Sequence, residues 1–375
     1  MYIDRIYLKD FRNLTENLIK LDNRLNVFVG LNGQGKTNFL EAVYLMGTAS
    51  SHRTNADREL IRWNQDRAVV QLYLVKRDEK LKISLEINKK VKKLEINDVP
   101  QERVSELLGN LNVVLFSPED LKLVKEGPHF RRKFLDTELS QVKPYYHYLL
   151  KKYNHILSQR NNLLKELMTG NKSDTTLLEV WDEQLVEIGA KIIQNRIEVI
   201  DKLKILARLS HRQITDGLEN ITLSYESSLS DRIEEKELEE IKIIFRNKLV
   251  NNRNEEITRG YTLAGPQRDD LKITMNGIDI RKYGSQGQQR TAALSLKLAE
   301  LEFMKSEQGE YPVLLLDDVF SELDNKRRHR LIDIMAHRVQ TFITATDFFN
   351  LNEINTPSIK VFKVRNGLIT RYKSL

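Results

Sequence analysis

The chain has 375 residues, 40% of them hydrophobic and 30% charged, with a formal net charge of +7 and a pI near 9.2. That length allows two or three domain-sized units, and the absence of cysteine excludes a disulfide framework and any thiolate metal site. No apolar run approaches the ~18 residues of a membrane span, the start Met1-Tyr2-Ile3-Asp4 lacks the shape of a signal peptide, and the basic balance suits either a polyanionic partner or a solvated Lys/Arg face.

Residues 2–29 predict two strands. Ile6, Leu8 and Phe11 alternate, and a polar turn at Asn13–Asn17 separates them from Leu18–Val29. The apolar run ends at Gly30 and enters Gly30-Leu31-Asn32-Gly33-Gln34-Gly35-Lys36-Thr37-Asn38. This is the phosphate-binding loop pattern in its strand–loop–helix setting. Its glycines let successive N–H groups point at one anion, and the following helix adds the positive end of its dipole. Lys36 would reach the β/γ-phosphates, and the Thr37 hydroxyl would hold Mg²⁺. Gly30 through Asn38 are therefore the candidate ATP contacts, with Arg53 within reach just after the helix.

That helix is predicted over 36–46, stopping at Gly47. Runs at Ala68–Val75, Leu81–Ile87 and Val91–Ile96 predict an antiparallel meander, and Leu111–Phe116 a buried strand. Ser117-Pro118-Glu119-Asp120 opens a helix, with Pro first and carboxylates in the first turn. From Gln141 to Arg212 long helices carry two apolar stripes, broken at Gly170–Thr175. A strand over 219–229 and an acid-led helix over 232–250 follow. Asn276-Gly277 signals a hairpin between Leu271–Met275 and Ile278–Arg281. A helix is predicted over 290–304, a buried strand over Pro312–Asp317, a helix over Leu331–Ala336, another buried strand over Gln340–Ala345, and a last hairpin at Asn366-Gly367.

Val313-Leu314-Leu315-Leu316-Asp317-Asp318 is the second nucleotide element. A buried parallel strand delivers Asp317 to its carboxyl end as a Mg²⁺ ligand, and Asp318 follows it to orient or deprotonate an attacking water. Ser285-Gln286-Gly287-Gln288 opens another helix, which makes a second anion-binding terminus. One triphosphate does not need two such termini in one chain. Ser285, Gly287 and Gln288 are therefore expected to act in trans, on ATP held by a partner copy. Ser321-Glu322-Leu323-Asp324 suits a dimer-facing loop, and Gln340–Asp347 ends a strand in polar groups placed to sense the γ-phosphate.

In this order the motifs resemble the ABC-type ATPase head of the SMC group. More closely, the chain resembles the RecF family of bacterial DNA replication and repair proteins. The carriers are Leu8-Lys9-Asp10-Phe11-Arg12-Asn13, Ser51-His52-Arg53-Thr54, Phe116–Leu121, Arg131–Asp136, Gln159-Arg160-Asn161, Gly265–Asp270 and Tyr283–Arg290. There are departures: Gln267 stands where the family usually has His, Asp318 where ABC transporters have Glu, and Thr346-Asp347 where they have a switch His. Gln141 is the candidate for the ABC glutamine loop. The shorter Asp318 carboxylate predicts slow hydrolysis.

The resemblance implies an α/β fold: an ABC-type P-loop ATPase head from residues 1–140 and 256–375, with an inserted, mainly helical lobe over 141–255. It implies a cytoplasmic ATPase that dimerises on ATP and binds single- and double-stranded DNA at gaps and junctions. It implies partners RecR, RecO and RecA and no membrane. Lys89-Lys90…Lys92-Lys93, Arg131-Arg132-Lys133 and Lys326-Arg327-Arg328…Arg330 are the basic clusters available for phosphate contacts. The competing readings are the ATPase subunit of a transporter and an SMC-like scaffold with structural ATP.

Overall fold

The computed structural model describes residues 1–170, 175–319, 331, 338–346 and 358–372. In chain order the elements are β1 (Tyr2–Lys9), β2 (Asn17–Lys20), β3 (Leu25–Val29), α1 (Lys36–Thr48), β4 (Arg67–Lys76), β5 (Glu79–Asn88), β6 (Lys92–Ile96), β7 (Val99–Gln101) and β8 (Val113–Phe116). Next come α2 (Leu121–Lys125), α3 (Pro128–Val142), α4 (Pro144–Met168), α5 (Thr176–Ile214), β9 (Ile221–Glu226), α6 (Leu238–Arg259), β10 (Asp270–Met275), β11 (Ile278–Asp279) and α7 (Ile280–Tyr283). The last are α8 (Gln286–Gln308), β12 (Val313–Asp317), β13 (Thr341–Ala345), β14 (Ile359–Arg365) and β15 (Leu368–Arg371).

Two compact units result: residues 1–120 with 300–375, and residues 121–299. These edges differ from 141 and 255, because α3 and the β9–β11 sheet fall in the second unit. The first unit holds two six-stranded sheets, ordered β2-β1-β4-β5-β6-β7 and β15-β14-β3-β13-β12-β8. The first sheet is antiparallel throughout. Its strands alternate as their sequences do, with Ala68, Val70, Leu72 and Leu74 of β4 all buried. In the second sheet β14, β3, β13, β12 and β8 run parallel, and β3 is buried along its whole length. A strand covered on both faces reads as a continuous apolar run. One core joins both sheets to α1, and Phe28 stacks on Phe39 at 4.0 Å and on Phe362 at 5.0 Å.

Several elements depart from expectation. Residues 2–29 form three strands, because the Asn26 side chain ties the chain back at Asp22: its Oδ1 accepts from the Asp22 amide at 2.7 Å and its Nδ2 donates to the Asp22 carbonyl at 2.8 Å. Helix α1 continues to Thr48, with Gly47 packed on β8 and Ala49 supplying the left-handed cap at φ 58°. Pro118–Asp120 is a 3₁₀ turn leading into α2. Helix α8 begins at Gln286, and the strand after Asn276-Gly277 gives way at Ile280 to α7. The expected helix over 331–336 lies outside the described residues, apart from the buried Leu331.

The second unit packs α3–α6 with the antiparallel sheet β11-β10-β9. Its interior is held by buried arginines. Arg160, fully buried, bonds Asp182 at 2.6 Å and Thr262 at 2.8 Å and forms an ion pair with Glu256 at 2.7 Å. Arg196 clasps Asp136 and donates to the Pro266 carbonyl at 2.6 Å. Gln267 accepts from the Tyr153 hydroxyl and donates to the Ala264 carbonyl at 2.9 Å.

The Asn366-Gly367 turn grips both sheets of the first unit. The Gly367 carbonyl accepts from the Thr15 amide and from Asn17 Nδ2, each at 3.0 Å. Its φ is +78°, and a Cβ there would meet the Asn13 carbonyl oxygen at 2.0 Å. Gly367→Ala should cost about 1–3 kcal/mol, read as a lowered midpoint in urea unfolding.

Candidate nucleotide site

The phosphate loop leaves β3, turns through Gly33 (φ 77°) and Gly35 (φ 117°), and enters α1. A Cβ at Gly35 would lie 2.7 Å from Leu14 and 2.8 Å from Asn13 Oδ1, so the loop leaves no room for a side chain there. Asn13 Nδ2 donates to the Gly33 carbonyl at 2.9 Å. From the far end of the chain, the Asn366 amide donates to Gln34 Oε1 at 2.7 Å and the Gly367 amide to the Gln34 carbonyl at 3.0 Å. Lys36 folds back on its own loop, donating to the carbonyls of Gly30 at 2.5 Å and Leu31 at 3.0 Å. Burial pushes its ammonium below the usual value, against the opposing pull of Asp318 and Asp317.

Asp317 arrives on β12, which is separated from β3 by β13. The Thr37 hydroxyl donates to Asp317 Oδ1 at 2.9 Å, and the Thr344 hydroxyl does so from β13 at 2.8 Å. An all-oxygen set of hydroxyl and carboxylate suits a hard cation such as Mg²⁺, so Thr37 and Asp317 fit the metal role. Asp318 adopts φ 52°, an uncommon conformation for a residue with a side chain, while its amide donates to Thr344 Oγ1 at 3.0 Å. Burial, and then the charge of Asp317, push the Asp318 carboxyl above the ordinary value. A carboxylate raised this way is a stronger base.

These groups line a cavity of about 410 Å³ that takes in Asn32, Gly33, Gly35, Lys36, Thr37, Asn38, Arg53, Asp317 and Asp318. Thr344, from the strand end expected to sense the γ-phosphate, also lines it, as does Pro118, which was not expected there. Gly30, Leu31 and Gln34 instead shape the loop through the bonds described above. Ser285, Gly287 and Gln288 belong to the second unit. There the Ser285 amide donates to Gln288 Oε1 at 2.9 Å and the Gln288 amide to Ser285 Oγ at 3.2 Å, a capping box at the head of α8. Gln288 Nε2 is held by Glu219 at 2.8 Å. Gln141 is buried in α3 of the same unit. Ser321–Asp324, Asp347 and the Lys326–Arg330 cluster lie outside the described residues.

One organising residue went unnoticed in the sequence. Glu41 is fully buried in α1 and receives Arg12 through two bonds of 3.0 and 2.7 Å, Ser51 Oγ at 2.6 Å and Arg53 at 3.3 Å. Arg53 also donates to Asn38 Oδ1 at 2.7 Å, and Asn38 Nδ2 donates to Asn13 Oδ1 at 2.7 Å. Glu41 thus fastens the Arg12-Asn13 and Ser51–Arg53 segments to the helix that carries the loop. Burial pushes its carboxyl up, but the bonds from Arg12 and Ser51 and the charges of Arg12 and Arg53 outweigh this and hold it below the usual value. His52 beside it, mostly by burial, falls to about 4 and is neutral at pH 7.

The Arg131-Arg132-Lys133 cluster is not an open basic patch. Arg131 is buried and clasps Asp270 with two bonds of 2.7 Å, and Arg132 donates to the Asp269 carbonyl at 2.8 Å. These cations hold the second unit together.

Loop, strand-end carboxylate and parallel sheet together define a P-loop ATPase head of ABC type. The model of the RecF/RecN/SMC N-terminal domain matches residues 2–370, and the chain belongs to the RecF family. Similar relatives include the DNA replication and repair proteins RecF of Alkaliphilus oremlandii, 48% identical over 98% of this chain and 100% of that protein, and of Bacillus cereus, 44% identical over 98% of each. A solved structure of the recombination mediator protein RecF with ATP in the RecFOR pathway superposes with a TM-score of 0.92 at 36% identity, over 99% of this chain and 98% of that one. An Smc head from Pyrococcus furiosus shares the fold, with a TM-score of 0.56 at 18% identity over 99% of this chain and 96% of that one.

Glu41→Ala strands two arginines and should destabilise the fold by about 3–5 kcal/mol, measured by urea unfolding. Because the folded state holds Glu41 low, its contribution is full above the unfolded value of about 4.3. It is lost as pH falls through the lower folded value. Glu41→Gln should therefore flatten the acid limb of the stability profile.

Proposed function

We propose that this chain is a recombination mediator of DNA repair that binds ATP with Mg²⁺ at Gly30–Asn38, Arg53 and Asp317. The reading is supported most directly by the 2.9 Å contact that joins Thr37 of the phosphate loop to Asp317 from the other end of the chain. The named relatives and the ATP-bound structural neighbour point the same way. Lys36 and the loop amides bind the phosphates, with Lys36 exchanging its loop carbonyls for phosphate oxygens. Thr37 and Asp317 hold Mg²⁺, which supplies charge neutralisation when bound. Asp318 orients and deprotonates the attacking water. Its reach is one methylene shorter than that of glutamate, so hydrolysis is slow and works as a timer on a dimer.

In this reading ATP draws two copies together, and Ser285, Gly287 and Gln288 of the second copy complete the enclosure. The Ser285 hydroxyl, at the head of α8, faces the γ-phosphate, with Gly287 and Gln288 in the same turn. The closed dimer binds DNA at single-strand gaps and double-strand/single-strand junctions. In the cytoplasm it acts with RecR and RecO to help load RecA. Among the described residues no helix is long and apolar enough to cross a membrane.

Lys36→Ala should abolish ATP binding by calorimetry. Ser285→Arg should bind ATP normally yet stay monomeric in light scattering, and dimerisation of this variant on ATP would refute closure in trans. Asp318→Asn should retain ATP binding while turnover falls about 10²–10⁴-fold.

A further inference from the structure

Trp63 is 89% exposed. It has no hydrogen-bond, ring-stacking or cation–π partner among the described residues. Covering an indole removes about 150–250 Å² from water, so an uncovered one on a rigid segment invites a ligand. The segment is tied to its neighbours by backbone bonds. Phe11 and Ile61 form a β-bridge, the Arg62 amide donates to the Asp10 carbonyl at 2.8 Å, the Gln65 amide donates to the Arg62 carbonyl at 3.0 Å, and Asn64 holds φ 64°. The indole is thus presented on a fixed turn.

Its surroundings are cationic. The β5–β6 hairpin closes onto this segment through Lys89–Asp66 at 2.9 Å and Lys92–Asp57 at 2.6 Å. Segments 57–67 and 88–93 together hold seven cations against three carboxylates. Lys90, Lys93 and Arg58 are exposed and take part in no ion pair among the described residues. All these residues belong to the first unit, and none lines the nucleotide cavity. Sequence-independent single-strand binders hold their ligand with an exposed aromatic ring and a cationic track nearby: the ring stacks a base and the cations follow the phosphates. A protein surface would need more apolar area than Trp63 and the exposed Val91 offer. An intact duplex hides its base faces, so the chemistry selects unpaired bases.

We propose that Trp63, with Lys90, Lys93 and Arg58, forms a single-stranded nucleic-acid contact in which the indole stacks on an unpaired base. The proposal rests on the DNA-binding reading above and gives it a location.

The chain has two tryptophans, so Trp181→Phe leaves Trp63 as the sole reporter. Titration of that full-length variant with oligothymidylate of about 12 nucleotides, within the usual single-strand site range, should quench its emission. Trp63→Ala should weaken oligothymidylate binding about 10-fold, the low-to-middle range for a lost stack, while Trp63→Phe should retain most of it. Replacing Lys90 and Lys93 with Gln should lower the slope of log affinity against log salt by about 1.4. Oligothymidylate binding without quenching, and unchanged in Trp63→Ala, would overturn the site while the DNA-binding reading stands. If neither single-stranded nor duplex DNA binds the wild-type chain, both fall.

Discussion

The structure depends on how β3 is paired. This strand delivers the phosphate loop, yet neither of its neighbours comes from nearby sequence. It is bonded on one side to β13 and on the other to β14, both in parallel and in unbroken register. Parallel strands need long connections between them and cover on both faces. Here α1 and the antiparallel sheet, from the N-terminal side of the sequence, cover the face that carries Phe28, Leu315 and Phe342, and the partner strands β13 and β14 come from the C-terminal side. The loop geometry, the approach of Asp317 and the seat of Thr344 all follow from that pairing.

Around this frame, buried ionic groups fix what apolar packing leaves adjustable. Hydrophobic contacts tolerate sliding, whereas a carboxylate with three specific donors does not. Glu41 sets the azimuth of α1 relative to Arg12 and Arg53. In the second unit, Arg131, Arg160 and Arg196 do the same for its helices and its sheet. Desolvated charges of this kind contribute little net stability and are strongly damaging when half removed, so they act as registration pins.

The sequence made legible whatever is encoded locally. The loop from Gly30 to Thr37, the apolar strand ending at Asp317 and the hairpins at Asn276-Gly277 and Asn366-Gly367 all carry their signal within a few residues. What depends on distant partners was hidden. Glu41 lies between Leu40 and Ala42 and looks like any helical glutamate, because Arg12 stands 29 residues before it. Arg131 looked like a DNA contact because a run of cations does not reveal that Asp270, 139 residues on, neutralises it. The break between β2 and β3 contains no Gly or Pro: it rests on the Asp22-Asn23 pair, with Asp22 accepting from the Arg24 amide, and on the Asn26 side chain, a weaker signal than glycine or proline.

The bracing of Gln34 by Asn366 and Gly367 also sets a schedule for synthesis. The two sides of that contact are 332 residues apart, so at ~5–20 residues per second the loop waits roughly 15–70 s on the ribosome for its brace. The local hairpins of the first sheet can form in that interval, but β3 has no partner strands until the last segment emerges. The braced form of the loop therefore exists only once the Asn366-Gly367 turn has been made.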